Sequence, residues 1–363
     1  MNAPRRAIVL ACLAFASAAA AQETAAAPAL PPARDRVLVC NKVEHTLSIF
    51  SAAERAELAV LPTGRGPHEV AVSPDGRLAV VSDYGDQQPG HSLTVVDLAA
   101  AKVLRTIELR QPDEADKFYL RPHGLQFVGP REVVVTSEAT RCLLLVQVDG
   151  EHPGVTRTLR TPQATMHMVS VTTDGRRAAA SSVRDGSVVF FDLDPAKAPV
   201  GAPAAIATGD GAEGLAVHPL SGDAWVGNRA ADTLSVVSRE KGEVVATLTT
   251  GKLPFRVAFT ADGETALVTC ADSGELLAID AASREQRYCE ALHADRSEQG
   301  WLPLGVVCDP DGVFAYVTCG RGEFVAVVTI ADGQVVARMP ARKGPDGIAY
   351  ARLPEQPEAA SGR

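Results

Sequence analysis

Residues 66–85 read GPHEVAVSPDGRLAVVSDYG. Val70 and Val72 alternate with other side chains, Asp75-Gly76 interrupts, and Leu78, Val80 and Val81 resume the apolar pattern. An Asp-Gly pair between two such runs signals a β-hairpin with a type I′ turn, because both central residues of that turn need positive φ. With Asp75 and Gly76 as a two-residue loop, partners across the hairpin have numbers summing to 151, and His68 faces Asp83.

Six further segments match the first strand: RPHGLQF from Arg121, TMHMVSV from Thr165, GAEGLAV from Gly211, LPFRVAF from Leu253, LPLGVVC from Leu302 and GPDGIAY from Gly344. Their third residues, with His68, are His123, His167, Glu213, Phe255, Leu304 and Asp346, spaced 42 to 55 apart. A period in the forties with about four short strands per unit predicts an all-β fold, a seven-bladed β-propeller. The chain begins out of phase. RVLVCNK, TLSIFSA and AELAVLP, from Arg36 onward, match second, third and fourth strands, and GIAYARL at Gly347 is a lone inner strand. The last blade is therefore expected to combine three N-terminal strands with one C-terminal strand, which leaves no open sheet edge.

The propeller is read over residues 36–353. Residues 1–21 read as a signal peptide, with Arg5-Arg6, an apolar core and Ala19-Ala20-Ala21 before Gln22. Residues 22–35 form an Ala/Pro-rich leader expected to be disordered, as is the tail 354–363. The implied location is periplasmic or secreted. The formal net charge is −9, and the leader carries two arginines, so the mature chain is more acidic still. An acidic chain without a basic stripe excludes nucleic acid as the natural partner, and no segment beyond the leader is apolar enough for membrane insertion. The expected state is a monomer. Cys40, Cys142, Cys270, Cys289, Cys308 and Cys319 remain after export and fit either bridges or small buried residues.

Fixed register pairs each third residue with the one fifteen later: His68 with Asp83, His123 with Glu138, His167 with Ser182, Glu213 with Asn228, Phe255 with Cys270, Leu304 with Cys319, and Asp346 with Asn41. A bulge shifts such an assignment by one residue. Asp346, His68, His123, His167 and Glu213 come from five consecutive blades, so the channel mouth is expected to carry a polar arc and a short apolar wall. Asn41, Asp83, Glu138, Glu213, Asn228 and Asp346 are the expected ligand contacts. Two chemistries fit the histidines. His68, His123 and His167 could together hold a divalent transition metal. His68 or His123, oriented by a carboxylate, could instead act as a catalytic base. Arg121, Arg141, Arg184, Arg229, Arg256 and Arg321 fall near the rim, with Phe118, Tyr119, Trp301, His91 and His293 on or beside rim loops. The long loops, among them DQQPGH, QPDEADKFYL and CEALHADRSEQGW, share that rim and offer a surface for a protein partner.

SPDGRLAVVSDYG, DTLSVVSREKGEVVATLTTGKLPFRVAFTADGETALVTC and DPDGVFAYVTCGRGEFVAVV resemble the YVTN/YncE-type seven-bladed propeller repeats. The resemblance covers nearly the whole mature chain and implies an exported bacterial propeller, without implying one activity. PHEVAVSPDG and PHGLQF also resemble the propeller lactonases related to 6-phosphogluconolactonase. That likeness implies a site at the channel mouth and carries over to His68, Asp83, His123 and Glu138. Nitrous oxide reductase, whose propeller holds copper on a full ring of histidines, is a more distant comparison; here three ring positions are histidine. The expected function is binding of a small polar molecule at this mouth, with or without a metal. The alternatives are a lactonase-type hydrolase or lyase and a protein-interaction platform.

Overall fold

Each of the seven inner strands begins immediately after a residue in the left-handed region: Gly66, Arg121, Thr165, Gly211, Leu253, Leu302 and Gly344, with φ between 54° and 74°. In this computed structural model, residues 28–355 are described, apart from 113, 164, 195, 197–202 and 293–300. The leader 1–21, residues 22–27, His293 and most of the polar connection after Cys289 lie outside the described residues, as does the tail from 356; Asp35, read as the end of the leader, already belongs to the first strand.

The described chain forms seven four-stranded antiparallel sheets and one extra two-stranded ribbon. Six sheets use consecutive strands. The seventh runs Glu57–Pro62, Thr46–Ser51, Asp35–Asn41 and then Pro345–Arg352, so the two ends of the chain share a blade as expected. Asp35 fastens this seam. Fully buried, it accepts from Tyr350 Oη at 2.6 Å and Arg352 Nη2 at 2.8 Å. Successive inner strands touch one another around a closed ring. Strand centres such as Val37-Leu38-Val39 and Val133-Val134-Val135 are buried on both faces, because each blade is sandwiched between two others. Each such Val or Leu contributes about 1.5–3 kcal/mol.

The Asp-Gly turns differ from the expected type. Gly76 has φ 67° and Asp75 is not in the left-handed region; Gly76 N–H donates to Ser73 O, and Ser73 N–H donates to Leu78 O. The loop therefore spans residues 74–77. The Asp75 carboxylate organises it by accepting from Ser73 Oγ and Arg77 N–H. Register survives the change, since Ser73 opposes Leu78 and Val70 opposes Val81.

Register fails two residues later. Every inner strand shifts near its third residue: Pro67, not His68, opposes Asp83; Met166, not His167, opposes Ser182; Ala212, not Glu213, opposes Asn228; Pro254 opposes Cys270; Pro303 opposes Cys319; Pro345 opposes Asn41. In blade two the turn already sets the ladder one residue away from the expected register, with Leu125 opposing Val135, and after the bulge Pro122 opposes Ser137, so Glu138 lies beyond the ladder. The bulge takes the third residue out of cross-strand pairing and leaves the next amide without a strand partner. A hydroxyl on the second strand accepts that amide in four blades: Glu69 N–H to Ser82, Met168 N–H to Ser181, Arg256 N–H to Thr269, and Gly305 N–H to Thr318.

The segment after blade one, read as a polar loop, contains a small ribbon pairing Arg110 with Phe118. Tyr119 is buried between blades one and two and its hydroxyl meets Thr158 Oγ1 at 2.7 Å. The six cysteines named above are all free, and all but Cys289 and Cys308 are fully buried.

Candidate functional site

Freed from the ladder, the third residues meet sideways, blade to blade. The His68 and His123 rings have centroids 4.0 Å apart, and those of His123 and His167 are 3.8 Å apart. A carboxylate stands at each end of the stack, hydrogen-bonded to its imidazole only at the His167 end. His68 Nδ1 lies 3.4 Å from Asp346 Oδ2, while His167 Nε2 contacts Glu213 Oε1 at 2.6 Å and Nδ1 contacts Glu138 Oε1. Lys42 stands 3.4 Å from Asp346, and Arg229 pairs with Glu213 Oε2 at 2.7 Å. Tyr84 covers the stack, edge-on to His68 and His123, with its hydroxyl donated to Glu138 at 2.7 Å and the Arg121 guanidinium 4.8 Å above its ring.

His68, His123, His167, Glu138, Glu213 and Asp346 thus converge. The expected dyads do not form, because the bulge, and in blade two the turn as well, moves their partners: Glu138 serves His167, and His68 lies against Asp346 instead of Asp83. Asp83, Asn41 and Asn228 stay inside their own blades. Asp83 accepts from Gly64 N–H, Ser92 and Thr94; Asn41 Nδ2 donates to Thr46 and Ser48, and Asn228 Nδ2 to Thr233 and Ser235. These three pin the second strand to the third. Phe255 and Leu304, the remaining third-register residues, are partly exposed, whereas Cys270 and Cys319 are fully buried in their blades. His91 and Phe118 stack on each other, and Trp301 packs on Phe324 and Arg338. His45 accepts Gly66 N–H, and His218 meets the Gly263 carbonyl.

Sequence reasoning passed over Glu69, Tyr84 and Lys42, and placed Arg256 on the rim. Arg256 is instead 5 % exposed and pairs with Glu69 across the ring, from blade five to blade one. Beyond this pair the axial channel holds a cavity of about 330 Å³, lined by Val70, Leu125, Met168, Leu215, Val257 and Ile348. A signal was present in the register following the histidines, where charged residues stand among glycines.

The histidines differ in charge. Burial lowers His68 to about 3, against Asp346, and the cations Lys42 and Arg256 lower it further. Burial likewise lowers His123 well below the usual range, helped by the His167 and His68 rings. Burial also works against a charge on His167, but Glu213 and Glu138 together raise it to about 9. Glu138 is lowered despite its burial, by His167 and then Tyr84. Near neutral pH the stack therefore holds two neutral imidazoles and one imidazolium.

Ligand atoms converge in two groups that share His123: His68, Glu69 and His123, and His123, Glu138 and His167, each within 4.8 Å. His123 is fully buried, and among the described residues neither ring nitrogen meets a hydrogen-bond partner. Two neutral imidazoles and a carboxylate suit a divalent transition metal.

No family model matches the chain, and no curated protein matches it. Among solved structures, the fold is similar to that of a functionally unknown protein from Desulfotomaculum acetoxidans, with TM-score 0.70 and 14% identity over 88% of this chain and 99% of the other. It is also similar to the periplasmic gluconolactonase PpgL of Pseudomonas aeruginosa, with TM-score 0.68 and 16% identity over 88% of this chain and 99% of that one. At these identities the likeness is one of fold.

Proposed function

We propose that this propeller binds a divalent transition metal on His68, Glu69 and His123 and takes a small polar ligand at the mouth above it. The observation that carries this is His123: a fully buried imidazole with two unpartnered nitrogens, flanked by imidazoles and within ligand range of carboxylates on two sides. A buried polar group without a partner is costly, and a metal supplies the missing partner. Of the two groups, His68–Glu69–His123 is the better acceptor, since both its imidazoles are neutral. In the other group His167 is held as a cation between Glu138 and Glu213. Metal analysis of protein purified without chelator, with Co(II) titration followed by its visible spectrum, tests the reading. One equivalent bound by the wild type and none by His123→Ala is expected; a wild type that binds no metal overturns it.

A second reading, hydrolysis of a lactone, is favoured by the fold's likeness to a gluconolactonase and by the Pro-His segments at 67–68 and 122–123. In that reading His68 or His123 serves as a base instead of a metal ligand: the neutral imidazole would take the proton from the water that adds to the lactone carbonyl carbon, and would return it to the ring oxygen as the C–O bond opens. Turnover of a lactone panel, abolished in His123→Ala with folding intact, is the test. The YncE-type affiliation and export through residues 1–21 belong to the same proposal, supported by the repeat segments and by a periplasmic structural neighbour.

A further inference from the structure

Around the ring, the residue after each third position reads Glu69, Gly124, Met168, Gly214, Arg256, Gly305 and Gly347. The glycines have a steric cause. A Cβ would stand 2.2 Å from the His68 carbonyl oxygen at Gly347, 2.2 Å from that of Phe255 at Gly214, 2.6 Å from that of Asp346 at Gly305, and 2.8 Å from that of His167 at Gly124. Inner strands make their closest approach in this register. Three blades nevertheless place a long side chain there, and two of those are an acid and a base that meet across the axis.

Glu69 therefore has two roles that conflict. Its Oε1 receives Arg256 Nη2 and also lies 3.6 Å from His68 Nδ1, within the group of ligand atoms that includes His123. A guanidinium has no lone pair and cannot join a coordination sphere. It can only compete with an ion for the same oxygen and repel it at short range. Arg256 also has somewhere to go. Asp346 lies beside the same His68, its Oδ2 3.4 Å from both Lys42 and His68 Nδ1, and its Oδ1 is buried without a hydrogen-bond partner among the described residues; its charge also favours the Arg256 cation.

We infer that Arg256 is a resident counter-cation: without metal it neutralises Glu69, and an arriving divalent ion takes Glu69 and sends the guanidinium to Asp346. The inference rests on the metal reading above and adds that the ion binds by exchange. It explains how a buried carboxylate is tolerated before metal arrives, since an unpaired buried charge would be strongly destabilising.

Co(II) and Zn(II) titrations by calorimetry at constant pH, on wild type, Arg256→Met, Arg256→Gln and Asp346→Asn, test it. Methionine already stands at the equivalent position of blade three, and circular dichroism checks that each variant folds. Removing the competitor is expected to tighten metal binding at least tenfold in both Arg256 variants, and removing its destination to weaken binding several-fold. Metal bound by the wild type with equal or weaker affinity in both folded Arg256 variants would overturn the exchange and leave the metal reading standing. Metal bound only by the Arg256 variants would support the competition and overturn loading of the wild type. Binding by none of the proteins would overturn both.

Discussion

Thr136 Oγ1 of blade two donates a hydrogen bond to the carbonyl oxygen of His167 in blade three, at 2.6 Å. The same contact recurs from Ser181 to Glu213 O, Thr269 to Leu304 O and Thr318 to Asp346 O, at 2.7–2.8 Å. These hydroxyls tie the third residue of one inner strand to the second strand of the blade before it. Thr136→Val keeps shape and removes the donor, leaving a buried carbonyl oxygen without its bond. A loss of about 1–3 kcal/mol in denaturant unfolding is expected. Loss of metal or ligand affinity alongside it would show that the contact also aims the imidazole.

Asp83 adds a pH dependence to stability on the acid side of neutrality. Burial raises its pKa from 3.8 to about 7, against Ser92, Thr94 and the Gly64 amide. A carboxyl raised on folding favours the folded state while protonated, and that contribution is lost as pH rises from about 4 through 7. Blades seven and four place Asn41 and Asn228 at the equivalent position. Asp83→Asn is therefore expected to fold, to flatten the stability profile between pH 4 and 7, and to exceed the wild type at pH 8 by on the order of 1–3 kcal/mol. Thermal melts across that range check it; a variant less stable than wild type at pH 8 contradicts it.

His167 has the opposite chemistry and the same sign. Its folded pKa, about 9, lies above the ordinary 6.5, so its ion pairs with Glu213 and Glu138 stabilise fully below 6.5 and are lost as pH rises toward 9. His167→Gln should be less stable than wild type at pH 6 and should lose the decline between pH 6.5 and 9. NMR titration of the His167 ring in metal-free protein reads the same pKa directly, and a midpoint below 6.5 would contradict the assignment.

Thr165 is a β-branched residue at φ 58°, where Gly66, Gly211 and Gly344 occupy equivalent positions in other blades. Unlike Arg121, Leu253 and Leu302, which share its left-handed conformation, it does not precede a proline. Thr165→Gly relieves the left-handed strain and is expected to stabilise the protein by about 1 kcal/mol. Unchanged or reduced resistance to denaturant would show that the Thr165 side chain contributes more than the strain costs.

The chain by itself determined the ring. Seven copies of one hairpin, out of phase with the termini, leave a closed propeller as the arrangement without open edges, and the alternation of Val and Leu assigns the strands. It also brought His68, His123, His167, Glu213 and Asp346 to one opening, because equivalent positions in a ring of equal blades share a height. Only the tertiary structure decided their partners. A one-residue bulge is nearly silent in sequence, yet it takes each third side chain out of cross-strand pairing. It thereby replaced the expected His68–Asp83 dyad, and together with the different turn of blade two the His123–Glu138 dyad, with contacts between blades, and withdrew Asp83, Asn41 and Asn228 into the scaffold. The Glu69–Arg256 pair lies beyond any local reading for a related reason. The residues are 187 positions apart, and their contact depends on the diameter of the closed ring, which no single repeat encodes.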